Sequence, residues 1–274
     1  MQLLFSKPRA AVLAVLLAAA GFAFGLAAGG LSPAPSLSEP AAQPASAPPA
    51  STPDAAPEAA PDSAPPKLVC LTFDDGPSRT TPAVLEALAA EGVPATFFVT
   101  ASESNEKHLP LIRAAQQAGH EIALHSASHK YSDIYRSTDA FWADIELLRQ
   151  RIAPYADPAE LRCLRFPGGS TNTVSRKYGG DAIMQDLKAQ AEARGWRWVD
   201  WNVSAEDAAG KKLSAEEICR NVTRGSEGRD RCIVLMHDSA TTGTTAEALP
   251  AIIRWYKENG YAFCTVTQLY DALE

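Results

Sequence analysis

No two cysteines in this sequence are spaced C-x-x-C, which excludes a thioredoxin-like redox motif and a cysteine zinc knuckle. The five cysteines, Cys70, Cys163, Cys219, Cys232 and Cys264, are an odd set. Outside the cytosol at least one of them stays unpaired or pairs between chains. Most read as small buried hydrophobes, and Cys219–Cys232, with only a short loop between them, is the first pair to test as a bridge. A basic stripe is also missing. The formal net charge is −7, of which −5 falls on residues 67–274. A mildly acidic domain of this kind does not track a phosphate backbone, so no nucleic acid partner is expected. Histidine is scarce, five in the chain, so any two standing together carry information.

Large apolar side chains are almost absent from residues 32–66, where 11 Pro and 11 Ala dominate. Such a segment cannot bury enough surface to offset its ordering, and it reads as an extended, disordered linker. Ahead of it, Lys7 and Arg9 precede the uncharged run Ala10–Leu31. A basic region followed by an apolar one is the pattern of an export signal. The run, roughly 20 residues, is equally long enough to span a bilayer. Residues 1–31 are therefore expected to be a signal peptide or a single membrane anchor. In both cases residues 67–274 work outside the cytoplasm, secreted or held at the outer face of the plasma membrane.

From Lys67 onward short apolar runs alternate with amphipathic stretches. Runs at 68–73, 95–100, 121–125, 161–166, 196–203, 231–237 and 261–266 predict strands. Stretches at 80–92, 106–118, 137–153, 180–195, 214–224 and 245–259 carry helical periodicity, and Gly92, Gly119, Gly195 and Gly260 stand where helices end. Strand–helix alternation implies parallel βαβ units in an α/β fold, and about seven repeats suit a closed or nearly closed barrel with its chemistry at the C-terminal strand ends.

The polar motifs fall at those ends. Leu71-Thr72-Phe73-Asp74-Asp75-Gly76-Pro77 closes the first strand. Neighbouring strand residues point to opposite sides, so Asp74 and Asp75 divide into one metal ligand and one general base, unless the segment is only a turn. His125-Ser126-Ala127-Ser128-His129 follows the third strand. Two imidazoles at i and i+4 on a helical turn suit one metal ion, and two His with one Asp leave open the positions a catalytic site needs. Arg165-Phe166-Pro167-Gly168-Gly169-Ser170 offers an Arg for a carboxylate and a glycine for close backbone approach. Asp200-Trp201-Asn202-Val203, with Asp207 beyond it, and Ile233-Val234-Leu235-Met236-His237-Asp238 complete the set. Alternation along the first strand puts Asp74 inside the barrel with Thr72 and Cys70, and Leu71 and Phe73 outside against helices.

Taken together these motifs, in this order over about residues 67–270, resemble the polysaccharide deacetylase family, also called the NodB homology domain or carbohydrate esterase family 4. The resemblance implies a deformed (β/α) barrel of about seven parallel strands with a divalent metal, Zn2+ first, with Co2+, Ni2+ or Mn2+ as alternatives. It implies Asp75, His125 and His129 as metal ligands and Asp74 as general base steadied by Arg165. His237 would be the general acid, its protonation set by Asp207. Pro167, Gly168, Leu235 and Trp201 would line the substrate site. Two departures stand out. Where many members have D-x-x-D-W, this chain has Ser204-Ala205-Glu206-Asp207-Ala208, and Gly168 stands where many have Tyr, so a ring is lost from the groove.

The implied activity is removal of N-acetyl groups from an N-acetylated glycan of the cell envelope, peptidoglycan first and chitin-like oligosaccharides second. A non-catalytic carbohydrate-binding derivative would be expected to lack these ligands. A glycosidase built on Asp74 and Asp75 would need its two carboxyl groups on opposite sides of the scissile bond.

Overall fold

Apolar and polar residues alternate along the first strand, and that alternation sorts the protein into an inner and an outer core. The computed structural model describes residues 66–273. Residues 1–31, expected to be a signal or anchor, and the linker up to residue 65 lie outside the described residues. Eight strands form one parallel sheet: β1 Lys67–Asp74, β2 Thr96–Thr100, β3 Glu121–Ser126, β4 Cys163–Leu164, β5 Arg197–Trp198, β6 Val203–Ser204, β7 Arg231–His237 and β8 Tyr261–Phe263. The helices are α1 Thr81–Glu91, α2 Pro110–Gln117, α3 Tyr131–Ile134, α4 Thr138–Ile152, α5 Arg176–Gly179, α6 Ile183–Ala193, α7 Ala215–Ser226, α8 Gly243–Glu258 and α9 Val266–Asp271. None of the described helices is long and apolar enough to cross a membrane.

Strand order is β5-β4-β3-β2-β1-β7-β6, with β8 added to β1. Among the described pairings β5 and β6 do not meet, so the barrel is open along that seam. This is the deformed α/β barrel anticipated from the sequence. Leu71 and Phe73 pack outward with helix residues such as Val84, Leu88 and Leu249. Cys70 faces inward with Phe98, Ala123 and Val199. The expected helix ends also hold: Gly92 takes φ 64°, and its N–H returns to the carbonyls of Leu88 and Ala89.

Three expectations need correction. The run 196–203 is not one strand but the two short strands β5 and β6. Between them the Val199 and Asp200 carbonyls accept from Arg165, and the Asn202 side chain bonds the backbone of Arg231 and Ile233 on β7. Side chains there occupy the groups a ladder would use. The run 161–166 pairs only at Cys163–Leu164. The run 261–266 ends as a strand at Phe263, because Thr265 caps α9, its side chain accepting from Gln268 N–H while Gln268 returns the bond. α9 spans the end of the barrel where strands begin. Val266 N–H donates to Thr96 Oγ1 at the head of β2, and Thr267 bonds Glu121 at the head of β3.

Candidate metal and proton-transfer site

At the opposite end, β1, β3 and β7 bring Asp74, His125 and His237 together. Asp75 sits just past β1 with φ 72°, a left-handed backbone that aspartate tolerates and most residues do not. That conformation is pinned: the Asp75 carbonyl accepts from Thr100 Oγ1 and Asn105 Nδ2 at 2.9 and 3.1 Å, and Asn105 also reaches the Pro77 carbonyl. The turn therefore carries Asp75 away from Asp74 and toward the histidines. His125 is the second-last residue of β3, and His129 lies in a loop at φ 54° rather than on the helical turn expected from its spacing. Asp144 of α4 shapes that loop, accepting from Ser126 Oγ and from the N–H groups of Ala127 and Ser128.

Asp75, His125 and His129 each aim one ligand atom at a common point, the three atoms lying within 4.8 Å of one another. The His125 and His129 Nε2 atoms are 3.6 and 3.2 Å from Asp75 Oδ1. His125 Nδ1 is 2.8 Å from the Arg165 carbonyl, which can only accept, so the proton sits on Nδ1 and Nε2 presents a lone pair. Burial pushes the His125 pKa down, which keeps the ring neutral. Asp75 Oδ1 is buried with no hydrogen-bond partner. Acceptor atoms crowded together with one orphaned carboxylate oxygen are unfavourable alone and favourable around a cation. The donor set fits a divalent metal with open coordination positions.

Two ion pairs flank this group. Arg165 is fully buried, and its Nη1 donates to Asp74 Oδ1 at 2.7 Å and to Thr72 Oγ1 at 2.8 Å. Asp74 Oδ2 stays on the metal side, 3.8 Å from His125 Nε2. Asp74 and His237 are register partners on β1 and β7. His237 Nδ1 is 2.8 Å from Asp207 Oδ1, while Asp207 Oδ2 accepts from the His237 N–H and from Thr245 Oγ1. Burial alone would lower the His237 pKa, but the Asp207 bond and charge, helped by Asp74 and Asp75, outweigh it and raise it to about 9. His237 is thus an imidazolium at neutral pH with Nε2 as its free end.

A family model described as polysaccharide deacetylase matches residues 62–185. The catalytic domain of peptidoglycan N-acetylglucosamine deacetylase from Eubacterium rectale ATCC 33656 is 38% identical, with a TM-score of 0.70 over 78% of this chain and 94% of that one. A chitooligosaccharide deacetylase of Bradyrhizobium sp. (strain ANU 289) is 32% identical over 74% of this chain and 90% of its own length. The chain belongs to the polysaccharide deacetylase family. Longer relatives are matched only in part. The peptidoglycan-N-acetylglucosamine deacetylase of Listeria monocytogenes (strain 10403S) is 31% identical over 74% of this chain, which spans 39% of its length.

Within this deacetylase fold Pro167 and Gly168 directly follow Arg165 and Phe166, and Leu235 stands two residues before His237 on β7. Leu235 is inward-facing and 8% exposed. Pro167 is buried, its carbonyl accepting from Tyr135 OH. Trp201 lies 5.5 Å from the Arg165 guanidinium and shields Gly169. Gly168 is exposed at φ 79°. A Cβ on Gly168 would lie 2.6 Å from Tyr131 OH, so Tyr131 stands beside the position where the ring is lost. Tyr131 also packs edge-on against His129 at 5.7 Å. Sequence reasoning missed Tyr131, Asn105, Asp144 and Thr245, none of which belongs to a recognisable motif. Asp238, which closes the Ile233–Asp238 motif but was given no role, has a buried carboxyl that accepts from Thr81 Oγ1 and abuts Gly76. Burial, with Asp75 and Asp74 nearby, raises the Asp238 pKa to about 7. The Cys219–Cys232 bridge is not present, and all five thiols are free.

Proposed function

We propose that this protein is an extracytoplasmic, metal-dependent hydrolase that removes N-acetyl groups from an amino-sugar polymer of the cell envelope, with peptidoglycan as its substrate. The observation that carries this reading is the three-atom group of Asp75, His125 and His129 lying between the Asp74–Arg165 and His237–Asp207 pairs. Asp75, His125 and His129 would hold a divalent cation, zinc first, which would supply Lewis acidity toward the acetyl carbonyl and a water. Asp74 accepts the proton of the attacking water on Oδ2, since Oδ1 is engaged by Arg165. The Gly168 N–H donates to the oxyanion as the carbonyl carbon becomes tetrahedral. His237 then passes the Nε2 proton to the leaving amine, and Asp207 keeps the imidazolium charged and aligned. Pro167, Leu235 and Trp201 bound the space around the acetyl group, and Tyr131 closes the wall beside Gly168. The products are acetate and a glycan bearing a free amine.

Asp74 and Asp75 both lean on His125 Nε2, at 3.8 and 3.6 Å. They crowd one side of the site instead of flanking a glycosidic bond, which argues against hydrolysis of the chain. Peptidoglycan is favoured by the names of the Eubacterium and Listeria relatives and by the sequence of residues 1–66, a basic then apolar run followed by Pro and Ala, which reads as an export signal and spacer. The Bradyrhizobium relative supports a second reading, a chitin-like oligosaccharide. Incubation with peptidoglycan and with N-acetylglucosamine oligomers, with acetate measured before and after chelation, tests both. Chelator-sensitive acetate from peptidoglycan is expected. New reducing ends without acetate would overturn the reading.

A further inference from the structure

The strand-start end of the barrel holds a feature the deacetylase chemistry does not use. β1 and β8 run parallel with Lys67, Leu68 and Val69 opposite Tyr261, Ala262 and Phe263. Cys70 and Cys264 are the next facing pair, and the Cys264 N–H donates to the Val69 carbonyl at 3.0 Å. Both side chains enter the inner core with Phe98, Val266 and Leu269. Their sulfurs are 3.5 Å apart. A disulfide of about 2.05 Å requires the sulfurs to close by about 1.5 Å, within reach of side-chain rotation on facing strands. Cys163 shares that inner core, but its Sγ faces Thr267 Oγ1, while Cys219 lies on α7 and Cys232 near the start of β7.

We infer that Cys70 and Cys264 become a disulfide when the chain matures in an oxidising compartment, fastening β8 and the α9 plug to β1. The two thiols give up two protons and two electrons to a disulfide-bearing oxidant, protein or small molecule, whose own S–S bond is reduced to two thiols. Burial fixes the timing. Cys70 is 0% and Cys264 8% exposed in the folded chain, and the Cys264 contact together with burial pushes the Cys70 thiol up. The exchange therefore takes place before β8 docks. The bond closes a loop spanning a separation of 194 residues, and long closed loops restrict the unfolded chain most. The sulfurs touch none of the metal or proton-transfer residues, so the bond acts on stability and not on turnover.

The test is to refold the full chain with a glutathione–glutathione disulfide pair, alkylate free thiols, and map peptides by mass. The expected result is one linked peptide joining Cys70 to Cys264, with Cys163, Cys219 and Cys232 alkylated. Reduction should lower the melting temperature by roughly 5–10 °C, and the Cys70→Ser/Cys264→Ser variant should show no such dependence on reductant. Five alkylated cysteines after oxidative refolding, a bridge between any other pair, or a wild-type melting temperature unmoved by reductant would overturn the inference. These readouts are covalent and thermal, so they stand or fall separately from the deacetylase reading.

Discussion

On one side of the barrel β1, β2, β3 and β7 run 8, 5, 6 and 7 residues. On the other, β4, β5 and β6 run 2 residues each. The long side is held by its backbone ladder, with β1 and β7 in register from Leu68↔Arg231 to Asp74↔His237. Its terminal side chains are left free for chemistry, and Asp74, His125 and His237 all stand there. The short side is held by side chains. Arg165 spans the seam, bonding Val199 and Asp200 carbonyls in addition to Asp74, and Asn202 ties the other flank to β7. A ladder fixes position without consuming side chains. Where it is absent, one buried guanidinium both holds the sheet and orients the proposed base.

That contrast can be broken from the long side first, where the largest effect is expected. Asp75→Ala removes a ligand atom without touching the ladder, so metal content and acetate release should fall together to the level of the chelated protein. Elemental analysis beside an acetate assay checks this.

On the short side, Arg165→Met should act on stability as well as rate. It leaves the buried Asp74 carboxylate unpaired and two carbonyls without their donor, a change of about 3–5 kcal/mol, read from urea unfolding. A loss below about 1 kcal/mol would mean the seam is held by something other than Arg165.

A subtler contrast lies in the His237–Asp207 pair. His237 must be protonated to act as the acid, so the rate should fall as pH rises through about 9. Asp207→Asn removes the largest raising influence and leaves burial, which lowers the value, opposed only by Asp74 and Asp75, so the alkaline limb should move to lower pH. For stability, the raised folded value means this contribution is full below pH 6.5 and is lost as pH climbs through about 9. Coincident pH–rate profiles for the variant and wild type would remove Asp207 from this role.

The smallest effect on turnover is expected at Asp238. Its carboxyl is raised from 3.8 to about 7, so between those values the folded chain holds a proton the unfolded chain has released. Wild-type stability relative to Asp238→Asn should therefore decline as pH rises from about 4 to about 7, as melting temperatures across that range would show.

The long side was also the legible side. Apolar runs of five or more residues marked β1, β2, β3 and β7, and alternation alone put Leu71 and Phe73 outside and Cys70 inside. Two-residue strands fall below any period, so 196–203 read as one strand when its middle is bonded by Arg165 from 34 residues away. The stop at Phe263 was hidden for a related reason. Val266 is as apolar as a strand residue, and only the Thr265–Gln268 capping pair marks the change to α9. The donor triad was readable because its residues are rare and motif-borne. Tyr131 was not, because its meeting with Gly168 is a matter of tertiary packing.

The central claim is that two adjacent residues divide the work, Asp75 holding metal and Asp74 moving a proton. Asp74→Asn keeps the side chain's shape and leaves the Asp75, His125 and His129 atoms untouched. Purified Asp74→Asn should retain close to the wild-type metal content while releasing acetate about 10²–10⁴-fold more slowly, the scale of a lost general base. Metal loss equal to that of Asp75→Ala, or acetate release at the wild-type rate, would contradict the account.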